Sequence, residues 1–201
     1  LAIVVAALAV ALALRPWRAL RAEGVLQPWL ACLVLLPWVW AAQRVMPGGV
    51  SVQLSGACLL VLMVGWPLAV LSLLPIAAIG AWLGGIAWPQ ALDHLAWNGM
   101  MAATLALSIG LATRRWLPHH PFVFILGRGF IVTALAMMAA GTMSAYVQPP
   151  PESTELGSVL LGHWLMAWGE AFSTGMLVAI FVAFKPEWLA TWSDARYLPK
   201  D

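Results

Sequence analysis

The chain has 201 residues, 63% of them hydrophobic and only 9% charged, with a formal net charge of +2 and a mean hydropathy of +0.89. A soluble domain carries about 25% charge, so these few charges cannot coat a water-facing surface, and so small a net charge excludes an electrostatic footprint for nucleic acid. The length fits one domain, 1–201, and the composition makes the lipid bilayer its solvent.

A membrane helix takes roughly 20 apolar residues. Residues 1–14 form a first run, ended by Arg15-Pro16-Trp17-Arg18. No small-residue cleavage site follows, so the run reads as a span and not as a signal peptide. The start at Leu1 instead of Met reads as the interior of a longer or processed product. Residues 25–42 form a second run. The stretch 50–88 is too long for one span, and Gly65-Trp66-Pro67 breaks it into 50–65 and 67–88, because proline lacks a donor and restricts the residue before it. Runs 95–113, 121–147 and 157–184 follow. Long unalternating runs point to helices and away from a membrane barrel. The expected fold is therefore an all-α integral membrane protein, a bundle of about seven transmembrane helices. Gly80 and Gly84 are expected to permit close helix contact.

Arg15, Arg18, Arg21, Arg114, Arg115, Lys185, Arg196 and Lys200 all fall on one side of such a bundle. The positive-inside rule then places the amino end outside and the carboxyl end in the cytoplasm. Trp17, Trp29, Trp88, Trp116 and Trp188 lie near run ends, as interfacial aromatics do.

Ionisable groups inside a membrane are costly, and either paired or functional. Arg128, His163 and Glu170 form a candidate intramembrane polar network. His163 and Glu170 are seven apart and share a helix face with Thr174. The readings are a polar track for an ion, or a structural Arg128–Glu170 pair with His163 satisfied elsewhere. Asp93 and His94 are placed in the outer loop before span five, with Asn98 just inside it. Carboxylate, imidazole and amide within six positions suit a cation; alternatively Asp93 caps the helix. His119 and His120 read as a surface basic patch, and Cys32 and Cys58 as packing residues. No nucleophile elbow, zinc-protease helix, phosphate loop or paired-cysteine motif is present, so no enzyme is expected.

Val52-Gln53-Leu54-Ser55-Gly56, then Leu59-Leu60, Gly65-Trp66-Pro67 and Ala69, resembles the core of the CbiM-like permeases. These are substrate-binding membrane components of energy-coupling-factor cobalt and nickel transporters. Leu95-Ala96-Trp97-Asn98-Gly99 is similar to the same family, as are Glu170-Ala171-Phe172 and the segment from Lys185-Pro186-Glu187-Trp188 to Leu198. The resemblance covers most of the chain. It implies about seven helices, an external amino terminus, a divalent nickel or cobalt ion as substrate, and a site reached from outside. It also implies a coupling membrane subunit and cytoplasmic ATPases as partners, in a bacterial inner membrane. In the family the ligands come from the extreme amino terminus and from a histidine. Gln53 stands at that histidine's place, and Asn98 matches the family's asparagine. Gln53, Asp93, His94 and Asn98 are thus the candidate solute or metal residues. Two functions are carried forward. One is a permease-like component for a divalent metal or small solute. The other is a non-transporting accessory subunit of a larger membrane complex.

Overall fold

The computed structural model describes residues 1–17, 24–42, 44–45, 51–118, 120–148 and 155–197. Seven helices of eight or more residues run through them: α1 (Ala2–Ala13), α2 (Leu26–Ala41), α3 (Ala57–Val64), α4 (Trp66–Gly84), α5 (Trp88–Trp116), α6 (Val123–Val147) and α7 (Leu156–Phe184). A short 3-10 turn at Pro186–Trp188 and α8 (Asp194–Tyr197) follow. Helices α4 to α7 are each long and apolar enough to cross a membrane, while α1 and α2 are shorter apolar helices. Their outer faces expose side chains that water would not accept, among them Leu111, Phe172 and Met176. The chain is a multi-pass, all-helical membrane protein.

Gly65 makes the expected break. Its φ of 78° ends α3, and Trp66-Pro67 opens α4 with proline in the first turn, where a missing N–H costs nothing. The run before it differs from expectation. Residues 53–56 are not helical, and Ser51–Val52 pairs antiparallel with Arg44–Val45, so helix occupies only Ala57–Val64 of the 50–65 stretch. Gly56, at φ 68°, turns this extended segment into α3. All eight residues of α3 are buried, and α2, α4, α5, α6 and α7 pack around them.

Small residues set the helix spacing. A Cβ on Gly80 would lie 2.7 Å from the Trp40 Cβ and 3.2 Å from the Pro37 carbonyl, so α2 rests directly on α4, as the sequence implied. Helices α6 and α7 interlock in the same way. Gly129 faces Val178, Gly175 faces Phe130, and Gly141 faces His163. These contacts fix the register between the two antiparallel helices.

Helix α5 starts earlier than the sequence suggested. Pro89 pre-sets the first turn and Ala87 occupies the cap position. Asp93 is therefore neither in a loop nor an N-cap. It lies within the second turn of α5 and accepts a hydrogen bond from Gln148 Nε2 at 2.9 Å. Two stretches, Leu95–Met101 in α5 and Val123–Ile131 at the start of α6, wind with the wider π-helical turn.

Candidate solute site

The residues before α3 form a knot of hydrogen bonds deep in the bundle. Helix amino termini leave N–H groups without intrahelical partners, and no water inside a bilayer can take them. Here Glu170 of α7 takes two. Its Oε2 accepts from Ser55 N–H at 2.8 Å and its Oε1 from Gly56 N–H at 2.5 Å. The partial positive charge at the start of α3 favours a carboxylate there. The Ser55 hydroxyl accepts from Ala57 N–H and donates to the Asn98 carbonyl at 2.7 Å. Trp40 Nε1 donates to the Ser55 carbonyl, and Gln53 Nε2 donates to the Trp40 carbonyl, both at 2.8 Å. Gln53 is buried, and its Oε1 has no hydrogen-bond partner. The amide nitrogen is thus held by backbone, while the amide oxygen has no partner among the described residues.

Beside this knot, an open-sided pocket of about 200 Å3 lies among Gln90, Asp93, His94, Trp97, Asn98, Ser144 and His163. The start of α5, the end of α6 and the start of α7 meet there. Asn98 Nδ2 and His94 Nδ1 are 3.1 Å apart, one helical turn along α5. His163 crosses from α7 over Gly141, where any Cβ would fall 2.7 Å from the imidazole. The pocket therefore brings Asp93, His94 and Asn98 together with His163, which the sequence had assigned to a different cluster. Gln53 does not line it; its amide donates to the Trp40 carbonyl, Trp40 Nε1 donates to the Ser55 carbonyl, and the Ser55 hydroxyl donates to the Asn98 carbonyl. Among the described residues, no three His, Cys, Asp or Glu side chains gather closely enough to hold a metal ion directly. The volume is many times the roughly 10–15 Å3 that one water needs, so it suits a hydrated cation or a small polar solute. Ser144, Gln90 and Trp97 are lining residues that sequence reasoning missed. Only the helical spacing of Gln90, His94 and Trp97 hinted at a shared face.

The expected intramembrane network is divided. The Arg128 guanidinium lies 5.4 Å from the Phe124 ring centre and beside Gly110. The ion pair found among the described residues is Lys185–Glu187, at 3.5 Å on the surface, and none joins Arg128 to Glu170. Helix register explains the separation. Gly129 faces Val178, so Glu170 lies eight residues, about 12 Å, further along α7. His163 is another seven residues beyond it. The three groups occupy three levels of the bundle, each with its own surroundings.

No curated protein and no solved structure matches the chain. A family model described as CbiM, the cobalt uptake substrate-specific transmembrane region, matches residues 1–188. With nearly its whole length matched, the chain belongs to the CbiM family of cobalt uptake transmembrane regions.

Proposed function

We propose that this chain is the substrate-binding membrane component of an energy-coupling-factor uptake system, with a hydrated divalent cation, cobalt or nickel, as its substrate. The observation that carries this reading is the pocket itself: two imidazoles, a carboxylate and an amide converge at one end of the bundle in a CbiM-family chain. Such a set is compatible with a divalent first-row ion through its water shell, and binds it weakly compared with direct coordination. A coupling membrane subunit and cytoplasmic ATPases would supply the energy, since the sequence holds no phosphate loop. The pocket would face outward from a bacterial inner membrane.

The test is isothermal titration of the full-length protein with cobalt and nickel. Weak binding is expected, falling away as pH drops from about 8 to about 5, because a protonated imidazole repels a divalent cation and cannot accept a hydrogen bond from its water shell. His163→Ala and His94→Ala should each reduce it at least several-fold. Gln53 does not line the pocket, so Gln53→His should strengthen binding only if its imidazole leaves the Trp40 carbonyl and reaches the ion. Binding that is unchanged by both histidine substitutions would remove this pocket from the reading.

A second reading, the accessory subunit, is favoured by one observation: the Gln53 amide is tied to the Trp40 carbonyl at 2.8 Å where the family has a ligand. Under that reading neither ion binds, and Gln53→His gains nothing.

A further inference from the structure

At the other end of the same helices Arg128 raises a separate question. Arg128 is only 9% exposed, and its Nε is buried with no hydrogen-bond partner among the described residues. Among the described residues it has the Phe124 ring but no carboxylate partner, and a guanidinium so placed among apolar helices is costly. It borders two cavities. One, of about 70 Å3, lies against Cys58, Gly110, Thr133 and Thr191. The other is a narrow cleft shared with Thr113, Arg114, Leu117 and Tyr197. The hydroxyls in the first cavity already donate elsewhere, Thr133 to the Gly129 carbonyl and Thr191 to the Leu62 carbonyl. Arg128 is thus the strong donor facing that space, and among the described residues no anionic acceptor meets it.

We propose that this crevice, between the end of α5 and the start of α6, binds the phosphate group of an anionic membrane phospholipid. Arg128 is its buried anchor and Arg114 stands at its mouth. The guanidinium fork matches phosphate oxygens in pairs, and basic pockets between membrane helices suit lipid headgroups. The rim favours a lipid over a soluble anion. Trp116, Leu117 and Phe122 are exposed there by 81%, 43% and 67%, at helix ends where acyl chains begin. Gly110 lies against the guanidinium: a Cβ on it would make ordinary contact, 3.5 Å, with the Arg128 Nε.

The experiment uses the full-length protein in nanodiscs of phosphatidylcholine, with or without phosphatidylglycerol, whose phosphate has no cation beside it. Retained lipid is read by native mass spectrometry and stability by thermal unfolding. Wild type is expected to retain phosphatidylglycerol preferentially and to unfold at a higher temperature with it. Arg128→Met should lower that retention roughly tenfold, the step that one charge-assisted hydrogen bond is worth. Arg114→Gln should lower it several-fold. Arg128→Lys keeps the charge but not the fork, and serves if the methionine variant fails to fold; it should fall between the two. No preference in the wild type, or equal retention in all variants, would overturn the site. Stabilisation of delipidated protein by inorganic phosphate, without preference for phosphatidylglycerol, would overturn the lipid as its ligand.

Discussion

Glu170 and Arg128 were both conspicuous in the sequence, and each suggested the other as its partner. In the fold the carboxylate turns instead to the Ser55 and Gly56 N–H groups, while the guanidinium faces Phe124 and Gly110. Glu170→Gln therefore swaps an acceptor oxygen for a donor against a backbone N–H. It should cost about 1–3 kcal/mol, the usual penalty for stranding a buried group, measured by denaturant unfolding in mixed micelles. Glu170→Leu should lower folded yield by the same factor whether or not Arg128 is also leucine, since the two groups are not partners. Recovery in the double variant would restore the ion pair. The chain's spelling exposed which residues were expensive. It hid their partners, because a main-chain N–H has no letter and helix register is set by contacts such as Gly129 on Val178.

At the scale of elements, the breaks were easier to read than the beginnings. Gly65-Trp66-Pro67 carries its own steric reason for ending a helix, and α3 and α4 part there. The start of α5 was misplaced by several residues, since Trp88-Pro89 is as good an opening as Asp93 and apolar content does not distinguish them. Ser51–Val52 was absorbed into a span because its composition matches its neighbours; only pairing with Arg44–Val45 sets it apart. The wide turns over Leu95–Met101 and Val123–Ile131 had no sequence signal, yet they carry Asn98 and Arg128, as π-helical segments at functional sites often do. Two glycines separate the causes of glycine dependence. Gly65 has φ 78° and ψ 158°, a backbone conformation essentially confined to glycine, with open space around a would-be Cβ, so Gly65→Ala should cost backbone strain alone, about 1–3 kcal/mol. Gly80 is helical but would drive a Cβ to 2.7 Å from the Trp40 Cβ. Gly80→Ala should cost about 1–3 kcal/mol as overpacking does, and should loosen α2 from α4, which Gly65→Ala should not. Loosening of α2 from α4 by Gly65→Ala, read by cross-linking between the two helices, would contradict this division.

For the whole molecule, composition was sufficient to establish a multi-pass helical membrane protein, because nothing else tolerates so few charges. Sidedness rests on the arginines and lysines. A reporter fused after Asp201 should report cytoplasm, and one inserted at Ser153 the opposite side; inverted signals at both positions would reverse the bundle. The site was less legible than the fold. Asp93, His94 and Asn98 were found through proximity along one helix, while His163 joined them only through the Gly141 contact between α6 and α7.

The buried helix α3 is tied at both ends by the last part of the chain. Glu170 holds the N–H groups at its start, and the Leu62 and Met63 carbonyls near its end receive the Thr191 hydroxyl and the Ala190 N–H. During synthesis this segment leaves the ribosome more than a hundred residues before its fasteners do. Until α7 and the stretch after it have been inserted, those polar groups have only lipid, water or an insertion factor to meet. The centre of this fold is thus completed only by residues that follow it by more than a hundred positions.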